Sequence, residues 1–133
     1  MAASDSPARQ ALSDPRPLVT VVDDDQSVRE SLPDLLRAFG FSAQAFACAE
    51  DFLGSDCLAL TRCVLLDIAM PGMTGLELQA ALAQRLPIIF ITAHADDATR
   101  SHVIDAGAVD CLLKPFTEES LLQALTTAIG GRA

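Results

Sequence analysis

The stretch Val64-Leu65-Leu66-Asp67-Ile68-Ala69-Met70-Pro71-Gly72 decides the fold of this chain. With the preceding Cys63, its first residues form the apolar run Cys63–Leu66. This run is too short for an ordinary helix and is typical of a buried strand. Asp67 follows directly, and Gly75-Leu76-Glu77-Leu78 then restarts a helical pattern. Asp67 is therefore predicted at the carboxyl end of a strand, where open α/β sheets hold their ligands. Taken alone, the pattern leaves open that Asp67 only caps a turn.

Strands and helices alternate along the rest of the chain. Apolar runs predict five strands at Leu18–Val22, Phe41–Phe46, Cys63–Leu66, Pro87–Ile91 and Val109–Leu113. Helical spacing predicts five helices at Gln26–Phe39, Ala49–Cys57, Gly75–Gln84, Asp97–Ala106 and Thr117–Ile129. Such alternation predicts an α/β fold, a parallel sheet covered by helices on both faces. The flavodoxin-like strand order 2-1-3-4-5 is the arrangement we expect.

One domain accounts for the 133 residues. Residues 1–16 are rich in Ala, Ser, Asp and Pro and are interpreted as a disordered tail, residues 17–130 as the domain, and residues 131–133 as its end or the start of a linker. Neither a signal peptide nor an apolar run near the roughly 18 residues of a membrane span is visible, so a cytoplasmic protein is expected. Pro33 falls inside the first predicted helix, where a proline can cause a kink.

The composition argues against several kinds of partner. A formal net charge of -9 repels nucleic acid and anionic membranes, so this chain is not expected to contact either. The four cysteines form neither a CxxC pair nor a Cys/His cluster, so a zinc site is not predicted. If the protein regulates a gene, another chain or domain is expected to bind the DNA.

Polar residues follow four of the five predicted strands. Asp23 and Asp24 follow the first strand, Asp67 the third, Thr92 the fourth and Lys114 the fifth. In the 2-1-3-4-5 order these strands are neighbours about 4.8 Å apart, so their ends converge on one pocket. Crowded carboxylates repel one another, which raises their pKa values unless a cation lies between them, and a hard ion with oxygen ligands such as Mg²⁺ fits. With an ammonium and a hydroxyl nearby, the pocket could receive a phosphoryl group on a carboxylate.

Each of these residues also has an ordinary structural interpretation. Asp24 or Asp25 could cap the first helix, Thr92 could be a strand-end hydroxyl, and Lys114 could be a surface lysine. Their joint placement favours the phosphoryl site.

The sequence resembles the receiver domain of bacterial two-component response regulators from about Leu18 to Ile129. The resemblance rests on motifs in the right order and spacing: Val21-Val22-Asp23-Asp24-Asp25, Leu66 to Gly75, Ile91-Thr92-Ala93 and Lys114-Pro115-Phe116. The acidic opening and Ala106-Gly107-Ala108-Val109-Asp110 are most similar to the nitrogen-fixation regulator branch.

The resemblance implies a role for each residue of the pocket. Asp67 would accept the phosphoryl group, and Asp67, Asp24 and the Ala69 carbonyl would ligate Mg²⁺, with Asp23 acting through water. Lys114, in a cis peptide with Pro115, would pair with the phosphoryl oxygens, and Thr92 would move toward them. His94, two residues past Thr92, is hypothesised to affect dephosphorylation, with an exposed loop histidine as the alternative.

The implied function is a switch phosphorylated by a sensor histidine kinase. Phosphorylation would remodel a face formed by the fourth helix, the fifth strand and the fifth helix, with Val103, Ile104, Cys111 and Leu112 as candidate residues, and would favour a homodimer there. The chain would control transcription through a separate output domain and would catalyse only its own phosphorylation and dephosphorylation.

Two other functions are considered. Cys111 occupies a position where receivers commonly have Tyr or Phe, which supports a phosphorylation-independent interaction module. An aspartyl-phosphate phosphohydrolase would have Asp-x-Asp-x-Thr after a strand, and Asp67-Ile68-Ala69 lacks the second Asp.

Overall fold

A computed structural model describes residues 15–68, 70, 72–82, 85–93 and 96–129 of the chain. The strands are β1 (Leu18–Val22), β2 (Ser42–Phe46), β3 (Thr61–Asp67), β4 (Ile88–Thr92) and β5 (Asp110–Leu113). The α-helices are α1 (Gln26–Ala38), α2 (Ala49–Leu53), α3 (Gly75–Leu82), α4 (Asp97–Asp105) and α5 (Glu118–Ala128), with a 3₁₀ helix at Asp56–Leu60. All strands pair in parallel in the order β2-β1-β3-β4-β5. The predicted flavodoxin-like α/β fold is confirmed.

Side chains that alternate along the central strands fill two cores, one on each face of the sheet. On one face, Val19 and Val21 of β1 pack in a cluster with Leu36 of α1 and Leu125 of α5. On the other face, the cluster is built from β1, β3 and β4 together with α2, α3 and α4. All five residues of β1 and of β4 are buried. Burial on both faces explains why these strands are continuous apolar runs in the sequence.

Helix α1 runs unbroken from Gln26 to Ala38 although Pro33 lies inside it. The proline cannot donate the hydrogen bond that an amide at this position would make. Pro33 is buried, as are Leu32 and Leu36, and burial of its apolar ring offsets part of that loss. Gly40, with φ +102, follows the helix and turns the chain toward β2.

The second predicted helix, Ala49–Cys57, is wrong in its extent. Helix α2 ends at Leu53, and the 3₁₀ helix that begins at Asp56 carries Cys57. The Ser55 hydroxyl donates to the Phe52 carbonyl at 2.8 Å, which satisfies a carbonyl that a longer helix would have used. The separate turn places Cys57, 1 % exposed, against the core.

Several element boundaries also differ from the predictions. Strand β3 begins two residues early, because the Thr61 hydroxyl is buried between the Cys57 carbonyl at 2.7 Å and the Thr20 hydroxyl at 2.8 Å. Helix α3 is described to Leu82, and residues 83 and 84 of its predicted range lie outside the described residues. Most of the predicted tail (residues 1–14) and residues 130–133 also lie outside them.

The register of the sheet brings the predicted polar residues to one edge. Val22 pairs with Leu66, and Asp67 pairs with Ile91. Thr92 pairs with Leu113, and the Lys114 amide donates to the Thr92 carbonyl at 2.7 Å. The carboxyl ends of β1, β3, β4 and β5 therefore lie side by side. Among the described helices, none is both long and apolar enough to cross a membrane.

Candidate functional site

Three carboxylates meet at this edge of the sheet. Asp23, Asp24 and Asp67 each offer an oxygen, and these oxygens lie within 4.8 Å of one another. Asp67 is the last residue of β3 and is 8 % exposed, Asp23 is fully buried, and Asp24 is exposed. The predicted convergence of these acidic residues is present in the structure.

Hydrogen bonds engage the amide, the carbonyl and both carboxylate oxygens of Asp23. Its amide donates to the Phe46 carbonyl at 3.1 Å, and its carbonyl accepts from Arg29 at 3.1 Å. One carboxylate oxygen accepts from the Asp25 amide at 2.9 Å, and the other accepts from the Lys114 amine at 3.0 Å. With both oxygens engaged, Asp23 suits contact with a cation through water better than direct ligation.

Lys114 contacts one of the three carboxylates, and Thr92 ends β4, the strand next to β3. The Lys114 side chain is only 23 % exposed, and its amine forms an ion pair with the buried Asp23 carboxylate. Thr92, the last residue of β4, is 4 % exposed. The Lys114–Pro115 peptide is cis, as the resemblance implied.

Asp25 and Asp24 have separate positions after β1. The Asp25 carboxylate caps α1 by accepting from the Ser27 amide at 2.9 Å. Of the two residues left open as caps, Asp25 therefore takes this role. Asp24 remains exposed beside Asp67, where its carboxylate can reach a cation.

The turn after Asp67 closes tightly against the start of α3. The Gly75 amide donates to the Ile68 carbonyl at 2.9 Å. Thr74 and Glu77 form a reciprocal cap, each side chain accepting from the other's amide, at 2.8 and 3.2 Å. The sequence predicts the start of the helix here but not this cap.

Glu50 contacts the same loop, and the sequence did not predict this contact. Its carboxylate accepts from the Met73 amide at 3.1 Å and lies against Gly72, whose φ is +74. A side chain on Gly72 would meet this carboxylate at 2.9 Å. Glu50 and Met73 are 23 residues apart, so no local pattern signals the contact.

The Glu50 contact is expected to weaken as the solution is acidified. Hydrogen bonds from its own amide and from the Met73 amide hold the pKa of the Glu50 carboxyl below its ordinary value. Because folding lowers this pKa, the ionised carboxylate stabilises the folded loop at pH values above the pKa of an unfolded glutamate, about 4.3. This stabilisation is lost as the pH falls through the lower pKa of the folded state. In NMR spectra the Met73 amide shift should therefore titrate with a midpoint below about 4.3.

Glu50→Gln is the control for this titration, since the amide keeps the shape of the side chain and cannot ionise. The variant should lack the Met73 transition. A wild-type midpoint at or above the ordinary glutamate value would contradict the assignment.

The donors of the acidic site fit a hard divalent ion. Oxygens that ligate one Mg²⁺ at about 2.1 Å lie about 3 to 4 Å apart, and the oxygens of the three carboxylates all lie within 4.8 Å of one another. Asp24 and Asp67 would hold the ion, which would supply charge neutralisation. The third predicted ligand, the Ala69 carbonyl, and His94 lie outside the described residues.

The predicted switching face needs correction. Val103 and Cys111 are fully buried and Leu112 is 8 % exposed, so these side chains belong to the core. Burial also raises the pKa of the Cys111 thiol, which keeps it neutral. The large apolar side chains exposed on α4, β5 and α5 are Ile104, Leu113 and Leu122.

Known proteins are similar to this chain in sequence and in structure. The chain is 40% identical over 124 residues to the response regulator protein TmoT of Ectopseudomonas mendocina, covering 91% of this chain and 56% of that protein. It is 35% identical over 118 residues to the transcriptional regulatory protein FixJ of Azorhizobium caulinodans, covering 86% and 56%. The solved structure of the response regulator StyR matches with a TM-score of 0.78 and 45% identity, covering 86% of this chain and 60% of StyR.

The chain thus spans a little over half the length of these two curated relatives. The family model described as the response regulator receiver domain matches residues 19–126, nearly all of the described fold. The chain belongs to the response regulator receiver domain family, whose members are signalling modules and include many transcriptional regulators.

Proposed function

We propose that this domain accepts a phosphoryl group on Asp67 from a sensor histidine kinase, with Mg²⁺ held by Asp24 and Asp67. The observation that carries the proposal is the convergence of three carboxylates within 4.8 Å beside the Lys114 amine. Receiver domains act together with sensor histidine kinases, which supports this choice of phosphoryl donor.

The chemistry assigns one task to each side chain. An Asp67 oxygen attacks the phosphorus of a phosphohistidine, the P–N bond breaks, and the imidazole leaves. Lys114 moves from Asp23 toward the new phosphoryl oxygens and balances their charge. Thr92 donates a hydrogen bond from its hydroxyl to the same group. Asp23 would hold a water molecule bound to the cation, while the Asp25 amide keeps its carboxylate in place.

The site also limits the reaction to positioning and charge neutralisation. Asp67 is the last residue of β3 and is 8 % exposed, so the proposed acceptor is held by the sheet with little freedom to move. A catalytic role beyond the domain's own phosphorylation and dephosphorylation is not proposed.

Control of transcription is the proposed output. Relatives named transcriptional regulatory proteins, such as TdiR of Thauera aromatica, extend well beyond the matched part, since the chain covers 50% of TdiR. We propose that residues 17–130 form the receiver and that a separate output domain binds DNA. The net charge of -9 is consistent with no direct contact between this chain and nucleic acid.

Intact mass spectrometry tests the phosphoryl transfer. Wild-type protein incubated with acetyl phosphate and Mg²⁺ should gain the mass of one phosphoryl group. The adduct should be absent from Asp67→Asn and from a metal-free sample, because each lacks a required part of the site. Asp56→Asn removes an exposed carboxylate from the 3₁₀ helix and is the matched control that should still be labelled.

An unlabelled but folded wild-type protein would contradict the proposal and favour the phosphorylation-independent module. An adduct that survives in Asp67→Asn would show that another residue is the acceptor.

The exposed residues Ile104, Leu113 and Leu122 support a phosphorylation-dependent homodimer on the face of α4, β5 and α5. Light scattering on the phosphorylated sample should give twice the monomer mass. A monomer before and after phosphorylation would contradict the dimer without affecting the acceptor site.

A further inference from the structure

We propose that Arg29 is a positioning residue for the acidic site and sets its affinity for divalent cations. Its guanidinium would do so by holding the peptide group that joins Asp23 to Asp24. The inference deepens the proposed function and depends on it, since it concerns the cation that Asp24 and Asp67 would bind.

Arg29 contacts the turn between β1 and α1 at two points. Its side chain donates to the Asp23 carbonyl at 3.1 Å, and its amide donates to the Asp25 carbonyl at 3.1 Å. The side-chain contact is partly buried. The side-chain contact completes the set of four hydrogen bonds that fix Asp23.

This peptide group controls where the Asp24 carboxylate points. The carbonyl of Asp23 and the amide of Asp24 share one rigid plane, so a hydrogen bond to the carbonyl also fixes the amide. Asp24 is exposed, and packing around its side chain therefore cannot orient it. A fixed backbone is then the means by which Asp24 is held within reach of Asp67.

A charge effect of Arg29 would act in the opposite direction. The guanidinium is a positive charge near a proposed cation site, and like charges repel. If Arg29 acted only through its charge, its removal would strengthen cation binding. If it acts by holding the peptide, its removal weakens binding, and the direction of the change separates the two effects.

The test compares Arg29→Gln and Arg29→Lys with Arg37→Gln. Lysine keeps the charge but cannot reproduce the planar donor group. Arg37 is a matched control, because it also lies on α1 and donates to a main-chain carbonyl, that of Ala43, at 3.0 Å. Ala43 lies near the start of β2, at the other end of the sheet.

Mg²⁺ titrations followed by ¹H–¹⁵N NMR measure the dissociation constant of each variant. Both Arg29 variants should bind Mg²⁺ about tenfold more weakly than wild type, as expected when a residue that orients a metal ligand is lost. Arg37→Gln should match wild type. In the metal-free state the ¹⁵N shift of Asp24 should change in both Arg29 variants and not in the control.

Unchanged or tighter Mg²⁺ binding by the Arg29 variants would overturn the inference while leaving the proposed function intact. A wild-type protein that does not bind Mg²⁺, or binds it equally well as Asp24→Asn, would overturn both. If Arg29→Gln does not fold, Arg29→Lys decides the outcome, since it keeps the charge and most of the side chain.

Discussion

Replacing Gly75 with alanine should destabilise the protein by about 3 kcal/mol, near the upper end for overpacking a tight site. A Cβ at this position would clash with the Asp67 carbonyl oxygen and would lie 2.8 Å from the Ile68 Cα. Both are main-chain atoms, so no side-chain rotation can relieve the contact. Either the start of α3 or the end of β3 must move, although alanine itself is the better helix former.

Urea unfolding followed by far-UV circular dichroism measures this effect, since the chain has neither Trp nor Tyr as a fluorescent probe. Gly54→Ala is the matched control, because its Cβ would meet only the Glu50 carbonyl oxygen at 3.5 Å, an ordinary contact. The control should be at least as stable as wild type. A Gly75→Ala variant with wild-type stability would contradict the prediction.

The same substitution should also slow phosphorylation of Asp67, because the displaced carbonyl belongs to the proposed acceptor itself. Glycine is required here by a close approach of two main-chain segments, and its φ plays no part. The sequence showed only that a helix restarts at Gly75; the approach depends on how tightly the loop folds back on β3.

Most of the fold could be predicted because burial leaves a direct signal in the sequence. Strand β1 was predicted with its observed bounds, Leu18–Val22, since both of its faces are buried and every residue is apolar or β-branched. Strand β3 was predicted two residues short at its start. Its first residues, Thr61 and Arg62, are polar, and a hydroxyl contact to Thr20, 41 residues away, holds Thr61 in the sheet.

In the candidate site, too, some features could be predicted from the sequence and others could not. The sequence predicts that four residues lie at one edge of the sheet, because each ends or directly follows a strand and the strand order places those ends side by side: Asp23, Asp67, Thr92 and Lys114. The hydrogen-bond partners of these residues could not be predicted. An arginine in a helical pattern, such as Arg29, gives no sign of which carbonyl it contacts. Asp25 was separated from Asp24 only by the geometry of the cap on α1.

Replacing Lys114 with methionine should lower the free energy of unfolding by about 3 kcal/mol in metal-free buffer. The substitution leaves the Asp23 carboxylate, which is fully buried, without its ion-pair partner at 3.0 Å. Removal of one member of a buried pair typically costs about 3 to 5 kcal/mol, because the remaining charge is uncompensated. The lower end is expected here, since the Asp25 amide still donates to the Asp23 carboxylate and Lys114 is 23 % exposed.

A double-mutant cycle with Asp23→Asn separates the ion pair from other effects of Lys114. The double variant should be more stable than Lys114→Met alone, because the uncharged amide costs less to bury than the carboxylate. Arg100→Met is the matched control: Arg100 pairs with Asp110 at 3.1 Å, but its side chain is 52% exposed, so removing that ion pair should cost about 1 kcal/mol or less. Additive losses in the Asp23 and Lys114 cycle would show that the pair contributes no coupling.

Mg²⁺ should restore more stability to Lys114→Met than to wild type. Without the ammonium, Asp23 and the two neighbouring carboxylates repel one another more strongly, so a cation near them has more to neutralise and binds the folded state more tightly. The stabilisation by Mg²⁺ is therefore expected to rise as Lys114 is removed, while phosphoryl transfer to Asp67 falls. An equal effect of Mg²⁺ on both proteins would mean that Lys114 and the cation do not share the charge of this site.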